Sequence, residues 1–456
     1  MEKSAKILRL GTAGMRGMVG NGLDLSSVSD FACAFAMLFQ SCDKPILLGR
    51  DNRKSSQMLY NSVISSLLSM GLKIVDGGIL PAGCCHFIIK KFNYGGGLLI
   101  SGGHQDANWN SIIPFNGDGE YFNSNERREL YDIYHSKIFN YVSVSELKKI
   151  TPIKQSEIDS YFDYLRDFFD TAAIRKANLK VIFDCCNGCG SFFVDRIGEI
   201  FNLEVIKVNS ERECDILPRN PEPSAKTGKF IASVIEQLAG DIGIVFNSDV
   251  SRLAIVTENG HALSEEMTFP LALDYILSKD TSAEYICTNI CSSTMIDRIA
   301  EKYQRKIEKT AVGEANIIEK MPLLNSFLGG DGSGSFAYGR EIPGFDGFYM
   351  LGFFLEKLAK TKCRISESAA ALPQTFIKKM EIRSEKLHRY SKLRNFKNLF
   401  QNCQVSELDG IRFDFEDGFL SIRFSSTDKI IRLISESSDE KIAEERMWFA
   451  KNRLEF

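Results

Sequence analysis

The sequence lacks an excess of charge of either sign, because 56 lysine and arginine residues stand against 59 aspartate and glutamate residues among 456. Because the charges are so evenly balanced, the total charge does not indicate a surface that binds nucleic acid or an acidic partner. The chain also lacks an uncharged apolar run long enough to span a membrane, and its first residues lack the apolar core of a secretion signal. We therefore expect a cytoplasmic protein with no nucleic-acid partner and no membrane contact.

The 12 cysteines do not indicate a disulfide framework or a zinc site. Without an export signal, the thiols of a chain this long are expected to be reduced and mostly buried. Cys186 and Cys189 form one CxxC pair, but no second pair at a matching spacing supplies the other two zinc ligands. We expect these cysteines to pack in the core or in loops.

What the sequence does contain is an alternation of strand and helix patterns. Apolar runs such as residues 46–48 and 98–100 alternate with amphipathic stretches, which predicts mixed α/β sheets. After about residue 364, strands gather around a hairpin that turns at Asp417 and Gly418. We expect α/β domains over residues 1–152, 153–255 and 256–366, and a smaller α+β domain over residues 367–456.

A glycine-rich loop follows the short strand predicted over residues 98–100. It begins with Ser101, Gly102, Gly103 and His104. In open α/β sheets, ligands usually bind at the carboxyl ends of strands, and glycines let the backbone approach them closely. A tight surface turn is the alternative.

Two arginines and three hydroxyls lie close together near the carboxyl terminus. They are Arg423, Ser425, Ser426, Thr427 and Arg432. A guanidinium group matches phosphate geometry with two parallel hydrogen bonds, so this cluster could bind a phosphate. A solvated strand edge of mixed charge is the alternative.

Several stretches, taken in order, resemble the motifs of the α-D-phosphohexomutases, the family of phosphoglucomutase and phosphomannomutase. The stretches are residues 11–17 (GTAGMRG), 97–113, 247–252 (NSDVSR), 310–314 (TAVGE), 329–335 (GGDGSGS) and 423–432. The resemblance implies four domains around one cleft, with three related α/β domains and an α+β cap. It also implies that Arg16 and His104 belong to the active site.

The resemblance places the family's nucleophilic serine on Gly103, which has no oxygen to phosphorylate. The family lysine ten residues later becomes Ile113. Ser101, two residues before the expected position, is the possible substitute nucleophile. A shift of two residues moves a side chain about 6 to 7 Å along a strand, which is too far for in-line attack without rearrangement.

The family's magnesium loop carries three aspartates, and it resembles residues 247–252. Here only Asp249 keeps a carboxylate, because Asn247 and Ser251 occupy the other two positions. A hard divalent cation prefers anionic oxygens, so we expect Mg²⁺ to bind weakly or not at all. Arg252 is retained.

The family's sugar-binding loop resembles residues 329–335. Asp331 takes the place of the family glutamate, and Ser333 is retained. A carboxylate and a hydroxyl can pair with neighbouring sugar hydroxyls. A flexible glycine and serine linker is the alternative.

These observations favour a family homologue that binds a hexose phosphate but has lost efficient phosphoryl transfer. A divergent active mutase that uses Ser101 is the first alternative. A structural scaffold with a vestigial cleft and an unidentified protein partner is the second.

Overall fold

Three α/β domains and a carboxyl-terminal α+β domain follow one another along the chain, which confirms the expected fold class. The structure is a computed structural model that describes residues 7–213, 216–280, 282–383, 396–397, 400–401, 403–424 and 430–454. Within these ranges, no helix combines the length and the apolar character needed to cross a membrane.

Domain I contains an eight-stranded sheet in the order β1-β2-β7-β6-β4-β5-β8, with β3 paired to β2. Its strands are β1 (Leu8–Gly11), β2 (Gly14–Val19), β3 (Gly22–Leu23), β4 (Ile46–Arg50), β5 (Ile74–Ile79), β6 (Gly96–Ile100), β7 (Trp109–Phe115) and β8 (Ile150–Pro152). Its helices are α1 (Leu25–Phe39), α2 (Lys54–Ser69), α3 (Ala82–Lys91) and α4 (Ser124–Ser136). Helix α1 begins where the Asp24 carboxylate accepts a hydrogen bond from the Ser27 amide at 2.9 Å.

Domain II contains a four-stranded sheet in the order β10-β9-β11-β12. Its strands are β9 (Lys180–Asp184), β10 (Glu204–Val208), β11 (Ile242–Phe246) and β12 (Leu253–Thr257). Its helices are α5 (Gln155–Phe168), α6 (Thr171–Ala177), α7 (Gly190–Phe201) and α8 (Lys229–Val234).

Domain III repeats this sheet in the order β14-β13-β15-β16. Its strands are β13 (Tyr285–Asn289), β14 (Lys306–Thr310), β15 (Leu328–Asp331) and β16 (Ser335–Tyr338). Its helices are α9 (Thr268–Lys279), α10 (Met295–Lys302), α11 (Glu314–Leu323), α12 (Gly347–Thr361) and α13 (Ile365–Ala370).

The first three domains share one sheet topology. In each, the first strand lies between the second and the third, all three are parallel, and a fourth strand pairs antiparallel with the third. In domain I this unit is β5-β4-β6-β7. The loops after β6, β11 and β15 therefore follow equivalent strands of three related units.

Domain IV is an antiparallel sheet in the order β17-β21-β20-β19-β18, followed by one helix. The elements are β17 (Phe376–Arg383), β18 (Gln404–Ser406), β19 (Ile411–Phe415), β20 (Gly418–Phe424), β21 (Ile430–Ser437) and α14 (Glu440–Leu454). Strands β19 and β20 form the hairpin that the turn at Asp417 predicts.

One continuous apolar cluster runs through domains I, II and III, whereas the apolar residues of domain IV form a separate cluster. The contacts of domain IV with the rest of the protein include many polar ones. For example, Arg412 donates to the Ile290 carbonyl, and Thr294 donates to Glu436.

Two of the expected domain boundaries fall inside elements. The boundary after residue 255 divides β12, which pairs along its length with β11 and so belongs to domain II. The boundary after residue 366 divides α13. Both limits were predicted from changes in the alternation of strands and helices. Such changes do not show which sheet a strand joins.

Candidate active-site cleft

A cleft of about 890 Å³ is lined by residues of all four domains. Most of the residues that the sequence analysis selected line this cleft. They are Arg16, Ser101, Gly103, His104, Asp249, Ser251, Arg252, Asp331, Ser333, Arg423 and Arg432. Asn247 is fully buried in the same loop as Asp249. Ser425, Ser426 and Thr427 lie outside the described residues.

The glycine-rich loop after β6 is held by Arg53, which the sequence analysis missed. The Arg53 guanidinium donates to the carbonyls of Gln105 at 2.6 Å, Asp106 at 2.8 Å and Trp109 at 3.0 Å. A Cβ atom on Gly102 would lie 2.0 Å from Arg53 Cζ, so the loop needs glycine there. The Gly-Arg-Asp-Asn-Arg run at residues 49–53, which begins inside β4, was the available signal, but nothing in it shows how far the guanidinium reaches.

Gly103 lies at the position expected for the nucleophile. Its φ of +53° is in the left-handed region, which glycine adopts at little cost. Among the described residues other than its two chain neighbours, the only atom within 4 Å of a Cβ built there would be Asp249 Oδ2, at 3.6 Å. A side chain at this position would therefore face Asp249, but the glycine offers no nucleophilic oxygen.

The Ser101 hydroxyl is buried, with 1% of the residue exposed. It donates to Asp249 Oδ2 at 2.6 Å, lies 3.1 Å from Asp51 Oδ2, and accepts the Gly103 amide at 2.9 Å. Ser101 therefore joins the loop of domain I to the loop of domain II.

The other oxygen of Asp249 accepts three hydrogen bonds. Asp249 Oδ1 accepts hydrogen bonds from Asn247 Nδ2 at 2.9 Å, the Ser251 hydroxyl at 2.7 Å and the Ser251 amide at 3.1 Å. Asn247 Oδ1 accepts the Arg252 amide at 3.1 Å. These donors compensate the negative charge of the buried carboxylate.

Arginines dominate the electrostatics around His104. Burial first, and then the positive charges of Arg252 and Arg16, lower the pKa of His104 well below its ordinary value. His104 Nε2 lies 2.8 Å from Gln105 Nε2, which fits a neutral ring that accepts the amide hydrogen. His104 is therefore neutral at pH 7.

Arg252 and Arg16 differ in their partners. Arg252 Nη2 contacts Glu314 Oε1 at 2.7 Å; burial opposes its charge, but the carboxylates of Glu314 and Asp331 raise the pKa of Arg252. The Arg16 backbone pairs within the sheet of domain I, but its side chain makes no hydrogen bond or ion pair within the described part of the chain. Burial and the charges of Arg252 and Arg432 lower the pKa of Arg16.

The loop after β15 is ordered by its own side chains. Asp331 Oδ1 accepts the Ser333 amide at 2.9 Å and the Ser333 hydroxyl at 2.5 Å, and Asp331 Oδ2 accepts Asn289 Nδ2 at 3.2 Å. Beneath the loop, a Cβ on Gly332 would lie 1.7 Å from Glu266 Oε2. The sequence analysis missed Glu266, because it precedes the loop by more than 60 residues.

Two arginines of domain IV face the cleft from neighbouring strands, where Arg423 is directly opposite Arg432. Arg423 Nη1 lies 3.4 Å from Asp409 Oδ2, and Arg432 Nε lies 3.1 Å from Glu381 Oε1. The cleft therefore has cationic groups on both domain I and domain IV.

Models of three consecutive protein domains match this chain. They are the phosphoglucomutase/phosphomannomutase alpha/beta/alpha domains I, II and III, over residues 8–141, 159–260 and 264–376. The chain belongs to the α-D-phosphohexomutase family. This confirms the resemblance drawn from the motifs.

Similarity to known phosphohexomutases extends over nearly the whole chain. A phosphoglucomutase/phosphomannomutase of Thermococcus kodakarensis is 26% identical and covers 98% of both chains. A phosphoglucosamine/phosphogalactosamine mutase of Sulfurisphaera tokodaii is 26% identical and covers 95% of this chain and 96% of its own. The crystal structure of a family protein from Burkholderia thailandensis superposes with a TM-score of 0.81 at 19% identity, covering 96% of this chain and 95% of its own.

The family depends on Mg²⁺, and an N-acetylphosphoglucosamine mutase of Aspergillus fumigatus was solved with magnesium and GlcNAc-6P. The donor set around Asp249 does not fit such an ion. It contains one carboxylate, both of whose oxygens accept hydrogen bonds, and Asn247 turns its amide nitrogen toward Asp249. Within the described ranges, no group of three or more histidines, cysteines, aspartates and glutamates could hold a metal ion.

The buried Glu266 carboxyl predicts a pH dependence of stability. Burial raises its pKa from 4.5 to about 7, against the opposing charge of Lys379, with Glu265 and Glu436 adding to the rise. The folded state therefore holds this proton up to a higher pH than the unfolded state. The stability that the proton confers is present below pH 4.5 and is lost as the pH rises through about 7.

We expect Glu266→Gln to flatten this dependence, since the amide keeps the shape but does not titrate. Between pH 5 and pH 8, the wild type should lose on the order of 2 to 3 kcal/mol more stability than the variant. Calorimetric melting at several pH values measures this difference, with the exposed Glu129→Gln as the control. Parallel profiles for wild type and Glu266→Gln would contradict the assignment.

Proposed function

We propose that this phosphohexomutase homologue binds a hexose phosphate in its cleft and does not transfer the phosphoryl group efficiently. The observation that carries the proposal is the contrast between Arg16, a cleft arginine with no ion pair within the described residues, and Gly103, a glycine at the nucleophile position.

The charged residues of the cleft support the proposed binding of a hexose phosphate. Arg16 approaches from domain I, and Arg423 and Arg432 approach from domain IV. Guanidinium groups bind phosphate through charge-assisted hydrogen bonds. Asp331 and Ser333 offer a carboxylate and a hydroxyl for the sugar, although they bond to each other in the free protein.

Three differences from the family motifs support the proposed lack of efficient phosphoryl transfer. Gly103 supplies no nucleophile, the Asp249 loop lacks two carboxylates, and the apolar Ile113 lines the cleft at the position of the family lysine. Loss of one group that stabilises transition-state charge typically costs about 10² to 10³ in rate, and loss of a nucleophile costs more.

A divergent active mutase is the second candidate, because Ser101 Oγ lies 2.6 Å from Asp249 Oδ2, within reach of proton transfer. Its burial argues against it, since Ser101 would have to leave its hydrogen bonds with Asp249 and the Gly103 amide to reach a substrate.

The names of the relatives suggest which sugars to test. Glucose, mannose and glucosamine phosphates are the ligands that we infer for this cleft, by similarity to phosphoglucomutases, phosphomannomutases and phosphoglucosamine mutases.

Binding and turnover should separate in the purified protein. By calorimetry, glucose, mannose or glucosamine 6-phosphate should bind with micromolar affinity. Arg16→Gln should weaken that binding by about 10- to 100-fold, because it removes a charged hydrogen-bond donor. Arg128→Gln, at an exposed arginine of α4, is the control.

Turnover is measured by isomerisation of glucose or mannose 1-phosphate with Mg²⁺ and glucose 1,6-bisphosphate. We expect none above background. Turnover within the ordinary range of about 1 to 10³ per second, abolished by Ser101→Ala, would establish the second candidate instead. Absence of both heat and turnover would support the structural scaffold.

Metal binding should appear only when carboxylates are restored. The variant Asn247→Asp/Ser251→Asp offers three carboxylates in the 247–252 loop and should bind Mn²⁺, a paramagnetic substitute for Mg²⁺, because hard cations require anionic oxygens. The wild type should not bind it at the same concentration. Electron paramagnetic resonance of free Mn²⁺ measures both, with an EDTA-treated sample as the blank. Equal binding by wild type and variant would refute a metal-free loop.

A further inference from the structure

Lys379 is the only lysine among the described residues that line the cleft. It lies on β17 of domain IV, across the domain boundary from Glu265 and Glu266 of domain III. The family's active-site lysine has become Ile113 in this chain, so Lys379 is the ammonium group that the described residues offer to the cleft.

Above about pH 7, where Glu266 is ionised, two carboxylates fix the position of this ammonium group. Lys379 Nζ lies 2.8 Å from Glu266 Oε1 and 3.0 Å from Glu265 Oε1. Although burial opposes the charge, these carboxylates raise the pKa of Lys379, so it stays protonated. An ammonium group has three N–H donors, and two of them are used here.

The third donor has no partner among the described residues, and Lys379 lines the cleft with 43% of its side chain exposed. The ion pair also places Lys379 next to the loop of Asp331 and Ser333. The carboxyl that binds Lys379 packs against Gly332, where a Cβ would lie 1.7 Å from Glu266 Oε2. One carboxyl group therefore contacts both the lysine and the sugar loop.

A lysine held in this way has lost most of its rotamer freedom before any ligand arrives, so a ligand contact costs it little further entropy. Glu266 is suited to this positioning role, because only 4% of the residue is exposed. Its Oε2 atom has no hydrogen-bond partner within the described part of the chain.

We propose that Lys379, oriented by Glu265 and Glu266, donates a hydrogen bond to a hydroxyl of the bound hexose, so that domain IV reads the sugar as well as the phosphate. This inference rests on the proposed hexose phosphate binding.

The test compares two probes of the same cleft. Glucose 6-phosphate, measured by calorimetry, reports on sugar and phosphate together, whereas inorganic phosphate, measured by ³¹P nuclear magnetic resonance, reports on the phosphate contacts alone. Lys379→Met should weaken glucose 6-phosphate binding about tenfold and change phosphate binding less than about twofold. Lys379→Arg, which keeps a charged donor, should recover part of the lost affinity.

Lys378→Met is the matched control, because Lys378 is adjacent on β17 but pairs with Glu440 and Glu444 of α14, at 2.7 and 2.9 Å. It should leave both affinities unchanged. Lys379→Gln, melted beside the wild type, replaces Lys379→Met if the latter unfolds.

An equal loss of affinity for both probes would overturn the proposal, since Lys379 would then act on the phosphate or on the fold. No loss for either probe would also overturn it. Failure of the proposed function is distinguishable, because it appears in the wild type as an absence of glucose 6-phosphate binding.

Discussion

The buried carboxylate of Asp249 is the constraint on which the cleft depends. It receives hydrogen bonds from Ser101 of domain I and from Asn247 and Ser251 of domain II. A buried charge must be compensated, and neutral hydrogen-bond donors compensate the Asp249 carboxylate in this structure. These hydrogen bonds join the loops of domains I and II.

The contacts of Arg53 and Ser101 account for the shape of the glycine-rich loop. Arg53 fixes its carbonyls, Ser101 fixes its start, and Gly103 turns through a left-handed conformation toward Asp249. The loop keeps a conformation that would present a side chain to Asp249, although it carries none. Contacts that do not involve a side chain at position 103 therefore hold the loop in place.

Domain IV is attached to the rest of the protein differently from the first three domains. Its apolar core is separate from that of the other domains, and polar groups such as Lys379 with Glu266, and Arg412 with the Ile290 carbonyl, contribute to its attachment. Polar contacts are directional, so they fix where its cationic residues point. Arginines of this domain and Arg16 of domain I thus face one another across the space where a ligand would lie.

Much of the fold could be predicted because local patterns encode it. The apolar run at residues 46–48 lies within β4, and the run at residues 98–100 lies within β6. The sequence patterns did not single out Arg53, which holds the glycine-rich loop, or Glu266, which lies beneath the loop of Asp331; both act through contacts with residues far away in sequence. A local pattern shows that a residue is charged, but not which loop or domain its side chain will meet.

We propose that the cleft binds a phosphorylated hexose but lacks the groups that would transfer its phosphoryl group. A crystal structure of the protein soaked with glucose 6-phosphate, glucose 1,6-bisphosphate and Mg²⁺ is the decisive experiment. We expect a sugar phosphate between Arg16 and the arginines of domain IV, with Asp249 still hydrogen-bonded to Ser101 and no cation beside it. A phosphorylated Ser101 together with an octahedral cation at Asp249 would refute this proposal.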